Sequence, residues 1–196
     1  MTNILILGAH GQIARVATEL FLIEPQANLT LYLRKAHRLN QPHPRVRVVE
    51  GDVMDLAALK AAMAGQDVVY ANLDGPLEQL ARNIVKAMVA TGVKRLIFVS
   101  SMGIYGEVPG QRYQSVLDPY RDAARVIEAS DLDYTILRPA WLNNKDEVEY
   151  GTTQKGEPFR NPGGVVSRKS VAHLIVQLAL NPALDVRCSL GVHKAA

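Results

Sequence analysis

A chain of 196 residues holds one domain with a full core and is short for two. Its 48% hydrophobic and 21% charged residues are those of a globular protein, and no apolar run approaches a membrane span. A net charge of +3 and a lone cysteine exclude an internal disulfide and an overall polycationic character.

Six strand-like runs follow one another along the chain. The first, "NILILG" (3–8), becomes apolar at Ile4, which leaves no room for a signal peptide's charged and apolar regions. A cytoplasmic location is expected, consistent with the single thiol. The second run is "NLTLYLR" (28–34) and the third "RVRVVEG" (45–51), followed by a helix opened by Asp55 and closed by Gly65. After "DVVYANL" (67–73), Asp74 is expected to cap a helix with Leu77, Leu80, Ala81, Ile84, Val85 and Met88 on one face, ended by Gly92. "KRLIFVSS" (94–101) is the fifth strand. Asp118-Pro119 then reads as a cap and first-turn proline before a helix that carries Tyr120.

The sixth strand is "DYTILRP" (133–139). Residues 140–166 break the alternation, being too polar for core and too long for a simple connector, and are expected to form a substrate-side excursion with a short hairpin or strand. Ser167 opens a last helix with Val171, Leu174, Ile175 and Leu178 inward, and "DVRCSLGV" reads as a strand with Cys188 as a buried structural thiol. Near-continuous apolar strands joined by helices predict an α/β fold. It is a Rossmann-type doubly wound parallel sheet in three α/β/α layers, as a single domain. The patterning leaves the oligomeric state open.

The first strand runs into "GAHGQIA" (8–14), where Gly8, Gly11 and Ala14 recur every third position. Small residues there allow a tight turn and a close backbone approach to a pyrophosphate, aided by the following helix N-terminus. Dinucleotide binding is expected. A carboxylate at the end of the second strand would bond a ribose 2′-hydroxyl; this chain has Arg34 there and Arg38 one turn on. Guanidinium groups suit a 2′-phosphate, so NADP(H) is preferred over NAD(H). This explains the basic segment 34–47 better than nucleic acid does. Asp52 and Val53 are expected near the adenine, with a turn-cap role as the alternative for Asp52. Asn72 and Leu73 are placed beside the glycine turn, and His10 has a phosphate-side or backbone role. The histidines lack metal-ligand spacing, so no metal site is expected.

Taken together, "LGAHGQIA", "GDVMD", "FVSSMGIYG", "PYRDAARVIEASDLDYTILRPAWL" and "VVSRKSVAHLIV" resemble the atypical short-chain dehydrogenase/reductase superfamily. The likeness is to its compact NAD(P)H-binding branch, which includes flavin reductase/biliverdin reductase B and the NmrA-like proteins. It implies a sheet of about seven or eight strands with cofactor across their C-terminal ends. It implies that Gly8, His10, Gly11, Gln12, Ile13, Arg34 and Arg38 hold the adenosine and phosphates. Ser100 and the segment Pro139, Ala140, Trp141 would border the nicotinamide.

One departure stands out. Active members of the superfamily pair a tyrosine with a lysine four positions later, whose charge lowers the phenol's pKa. Tyr120 is followed instead by Ala124, and Arg125 lies about 140° further round the helix. Tyr105 and Tyr113 also lack the lysine. A flavin- or quinone-like acceptor does not need that dyad, because its own rings delocalise the charge that hydride brings. The expected function is therefore hydride transfer from NADPH to a small aromatic acceptor. Ser100, Ser101 and Tyr120 are candidate catalytic residues, and Trp141 would stack on the acceptor or cover the pocket. Asn143 and Asn144 are further candidates. The principal alternative is an NmrA-like NADP(H)-binding redox sensor with little turnover. A nucleotide-sugar epimerase, suggested by "SSMGIYG", and a nucleic-acid binder stand behind it. No membrane or nucleic-acid partner is expected.

Overall fold

The computed structural model describes residues 1–39 and 43–195. Residues 40–42 of the predicted basic segment lie outside the described residues. The chain alternates strand and helix: β1 (Thr2–Leu7), α1 (Gln12–Ile23), β2 (Ala27–Leu33), β3 (Val46–Glu50), α2 (Leu56–Met63), β4 (Val68–Ala71), α3 (Leu77–Thr91) and β5 (Arg95–Val99). Then come α4 (Asp118–Glu128), β6 (Asp133–Pro139), β7 (Trp141–Asn143), β8 (Gly151–Gln154), β9 (Val165–Ser167), α5 (Arg168–Leu180) and β10 (Cys188–His193). Eight strands form one sheet in the order β3-β2-β1-β4-β5-β6-β10-β8, parallel except for β8 at the edge.

The central strands β4, β5 and β6 are almost wholly buried because both faces are covered, whereas the edge strands β3 and β8 are largely exposed. In β1, Ile4 and Ile6 join the core beneath α1 and α5, while Leu5 and Leu7 join the core beneath α2, α3 and α4. This is the doubly wound, three-layer Rossmann arrangement expected from the alternation. The crossovers leaving β1 and β4 run in opposite directions, which opens a crevice at the sheet's C-terminal edge.

Several helix ends follow the sequence. Asp55 Oδ1 accepts from Ala57 and Ala58 N–H, Ser167 accepts from Ser170 N–H, and Gly92 ends α3 in the left-handed conformation. Two expected caps do not form. Asp74 turns onto the N–H of Gly75 (2.8 Å), and Pro76 occupies the cap position of α3. The "LDGPL" segment needs Gly75 at φ +101°, and that bend carries Asp74 out of reach of the helix amides. Asp118 is already helical, with Leu117 at the cap, and its carboxylate meets Arg121 and the Tyr113 hydroxyl.

The excursion contains strands but no hairpin. β8 adds antiparallel to β10, while β7 and β9 pair parallel with each other in a separate small sheet. Asn143 and Asn144 are engaged there: the Asn143 amide accepts from Lys145 N–H, and Asn144 Oδ1 accepts from Arg168. Cys188 does begin a strand, but it is half-buried rather than buried, since it sits at the first residue of β10.

On the α4 side of β6 and β10, no helix among the described residues covers the sheet beyond α4. The connection from β5 to α4 does so, and a buried charge holds it down. Arg138 of β6 is fully buried and ion-paired with Glu107 of that connection. Its remaining donors reach Ser189 Oγ (3.1 Å) and the carbonyls of Ser189 (3.1 Å) and Thr153 (3.2 Å). Glu107 in turn accepts from the N–H groups of Gly103 (3.0 Å) and Tyr105 (2.9 Å). Burial alone would raise the Glu107 pKa, but these backbone donors and the Arg138 charge outweigh it and hold the carboxyl below its ordinary 4.5.

Removing one partner of such a pair strands the other charge. Arg138→Met is expected to destabilise the fold by roughly 3–5 kcal/mol, about 10 °C in melting temperature for a chain of this size. Because the folded pKa is depressed, the stabilisation from Glu107 is present above its unfolded value and is lost as pH falls through the folded one. Thermal melts across that acid range should show this loss in the native protein and not in Glu107→Gln.

Candidate functional site: the crevice at the C-terminal edge

The glycine turn is shaped by what lies against it. Gly8 has φ +75°, and a Cβ there would fall 2.2 Å from the backbone carbonyl oxygen of Asn72, just beyond β4. A Cβ on Gly11 would fall 1.9 Å from Asn72 Nδ2. Asn72 N–H donates to Leu7 O (3.0 Å), so the ends of β1 and β4 are tied where the turn begins. Gly11 N–H bonds Gly8 O (2.9 Å), and Gly11 caps α1 without a side-chain acceptor for the helix amides. Those amides are left with no competing carboxylate from the cap.

A cavity of about 610 Å3 opens beside this turn, in the size range of small-molecule sites. It brings together Gly8, His10, Gly11, Arg34, Arg38, Asp52, Val53, Asn72 and Leu73, all named from the sequence. Arg34, Arg38 and the neighbouring Lys35 are exposed at its rim, beyond the end of β2. Asp52 has one carboxylate oxygen on Met54 N–H (2.9 Å), which is the turn role weighed for it. Val53 is buried, and its carbonyl accepts from Asn83 of α3 (3.1 Å), fixing the β3–α2 turn against the sheet.

With Lys35 of the basic segment, the lining is completed by Tyr32, Leu33, Gly51, Met54, Asp74, Pro76 and Leu80, which sequence reasoning did not place there. Tyr32 donates its hydroxyl to Asp52 O (3.0 Å) and lies across Gly51, where a Cβ would come within 2.3 Å of that hydroxyl. Burial, with the charges of Asp55 and Asp52, raises the Tyr32 pKa, so the phenol stays a donor. The signal available was the glycine in "EGDVMD", which only a close approach explains.

Other named residues lie apart from this cavity. Gln12 is exposed and Ile13 buried in the first turn of α1, where Ile13 serves the core. Ser100, Ser101, Pro139 and Ala140 gather further along the same edge. Ser100 N–H donates to Leu137 O (2.7 Å), Met102 N–H to Pro139 O (3.2 Å), and Ala140 N–H to Val192 O (2.9 Å). Ser100 Oγ is buried without a partner among the described residues, whereas Ser101 Oγ bonds Met102 O (3.3 Å). Trp141 opens β7 and is 65% exposed. Tyr120 is half-buried on α4, with its pKa raised by burial and by Asp74.

Residues 8–182 match the NAD(P)H-binding family. The chain belongs to that family. It is similar to a Rossmann-fold NAD(P)-binding protein from Shigella flexneri, with 44% identity and a TM-score of 0.88 over 99% of this chain and 94% of that one. A short-chain dehydrogenase/reductase from Veillonella parvula in complex with NADP shares 32% identity, with a TM-score of 0.87 over 98% of this chain and 94% of that one. Among curated relatives, the uncharacterized sugar epimerase YhfK of Bacillus subtilis is 26% identical over 89% of this chain and 86% of its own length. The (4-alkanoyl-5-oxo-2,5-dihydrofuran-3-yl)methyl phosphate reductase of Streptomyces griseus is 30% identical over 69% of this chain, which spans 46% of that enzyme. Family and fold thus agree: an NAD(P)H-binding protein of oxidoreductase type, in the compact atypical short-chain dehydrogenase/reductase branch. Among the described residues no helix is long and apolar enough to cross a membrane, and no cluster of ligands suits a metal ion.

The two glycines should differ on substitution. In Gly8→Ala the new methyl meets backbone at a positive φ, which costs roughly 1–3 kcal/mol in strain alone and should lower both melting temperature and NADP(H) affinity. In Gly11→Ala it meets the end of a side chain that can turn away. Fluorescence titration with NADPH should therefore show the larger loss for Gly8→Ala.

Proposed function

We propose that the protein is an NADPH-dependent reductase that passes hydride to a flat, conjugated acceptor of flavin or quinone type without a tyrosine–lysine dyad. The observation that carries this reading is the setting of Tyr120. Ala124, at the position of the missing lysine, is fully buried in the core that α4 shares with α3 and the sheet. A lysine there would bury an ammonium group in that core. Burial and Asp74 push the Tyr120 phenol up, away from neutral pH, opposite to what a neighbouring cation would do.

What the site offers instead is position. Bound NADPH supplies the hydride. The glycine turn and the uncapped amides of α1 would hold the pyrophosphate, and Arg34, Lys35 and Arg38 would offer charge-assisted hydrogen bonds to the 2′-phosphate. These three cations at one rim support a preference for NADPH over NADH, although the carboxylate of Glu50 reaches the same bend and accepts from Ala36 N–H (2.9 Å). Ser100 Oγ is buried and unpartnered among the described residues, so an acceptor whose polar atom reached it would satisfy that hydroxyl. Exposed Trp141 can lay its ring on the acceptor's open face. Solvent completes the reduction by supplying a proton to the reduced acceptor.

NADPH oxidation followed with FMN, riboflavin, a benzoquinone and an aldehyde tests this reading. Protein-dependent turnover is expected with flavin or quinone and not with aldehyde, and Tyr120→Phe should retain it within about twofold. Arg34→Ala combined with Arg38→Ala should raise KM for NADPH about tenfold or more, as loss of hydrogen bonds to a charged group implies, with little change for NADH. Tight cofactor binding with no turnover on any acceptor would refute the reductase and favour a redox sensor.

A further inference from the structure

A second cavity of about 550 Å3 lies beneath the β5–α4 connection, between residues 103–113 and the outer flank of α4. It is nearly as large as the crevice above and shares no lining residue with it. We propose that it is a second small-molecule site, for an organic carboxylate with an apolar body.

The walls are held in place by bonds within the chain. Arg121 ties helix to loop, with Nε on Ile104 O (2.9 Å) and a terminal nitrogen on Gln114 O (3.0 Å). At the floor, Tyr105 donates its hydroxyl to Glu128 (2.6 Å) and also approaches Ser189 Oγ at 3.2 Å. Lys155 bonds the same Glu128 (2.7 Å) and stands 4.3 Å over the Tyr105 ring. The cavity therefore exists before a ligand arrives, which spares the ordering cost of forming it.

Charge selects the ligand. Arg112, Arg121, Arg125 and Lys155 line the cavity against the single carboxylate Glu128. Three of these cations are matched: Arg121 by Asp118, Arg125 by Asp122 and Lys155 by Glu128. Arg112 has no carboxylate partner among the described residues. One uncompensated guanidinium favours a monoanion, and its planar fork fits a carboxylate through two parallel hydrogen bonds. Ile104, Val108 and Leu117 give the rest of the molecule an apolar surface. The connection forming the roof is continuous with Ser100 and Ser101, so an occupant would brace the segment that borders the reductive edge.

Benzoate and indole-3-acetate, titrated into NADP+-saturated protein and followed by amide chemical shifts, provide the test, with benzamidine as the cationic control. Binding is expected for both carboxylates, with the largest shifts at Gly103 and Gly106. Arg112→Ala should weaken it at least fivefold, Arg112→Lys less, and Arg34→Ala not at all. Since Arg112 is exposed, its variants should retain the native amide spectrum. No carboxylate binding, equal binding of benzamidine, indifference to Arg112, or stronger binding when NADP+ is withdrawn would each overturn the proposal.

Discussion

The functional edge of this protein depends on how closely Asn72 approaches the glycine turn. The carbonyl of Asn72 fills the space that a side chain at residue 8 would need, and its amide fills the space beside residue 11. The contact exists because β1 and β4 are neighbours in the sheet while their crossovers diverge. Strand order thus produces the crevice, and the absence of two side chains keeps it open. Everything that lines it from β2 and β3 is then set by parallel register with β1.

Two different devices hold the two halves of the edge. On the side of the glycine turn the fixtures are backbone turns and one tyrosine lying across Gly51. On the other side, the β5–α4 connection is secured by an ion pair in the protein interior, surrounded by backbone donors. A buried pair is not in itself a strong source of stability, since both charges lose their water. What it enforces is uniqueness: Arg138 can be satisfied only when Glu107, Ser189 and Thr153 are all in place.

Much of this was legible in the sequence, for physical reasons that differ along the chain. Runs such as "ILIL" and "LIFV" can be buried only on both faces, which dictates a covered parallel sheet. Glycine spacing and Arg34 located the crevice because turn geometry and charge act locally. Asp74 and Asp118 misled because capping depends on the path of the residues around them, and Gly75 and Tyr113 drew those carboxylates elsewhere. The excursion was seen as a departure but not as an edge strand, since antiparallel pairing of "GTTQ" with β10 is a long-range event with no local signature. Tyr32 was hidden for a related reason: Gly51, which it lies across, follows the adjacent strand β3 and not its own.

The burial of Ala124 also bears on how such a protein can change over generations. Placing a lysine at that position takes more than one codon's change, because the core packed round it must first open to let the longer side chain reach solvent. Intermediate sequences would carry either a hole between the helices or a stranded ammonium, and both are selected against through stability before any new chemistry is gained. The core around Ala124 therefore acts as a ratchet: it leaves the exposed loops free to drift while closing the short road to a lysine one turn from Tyr120.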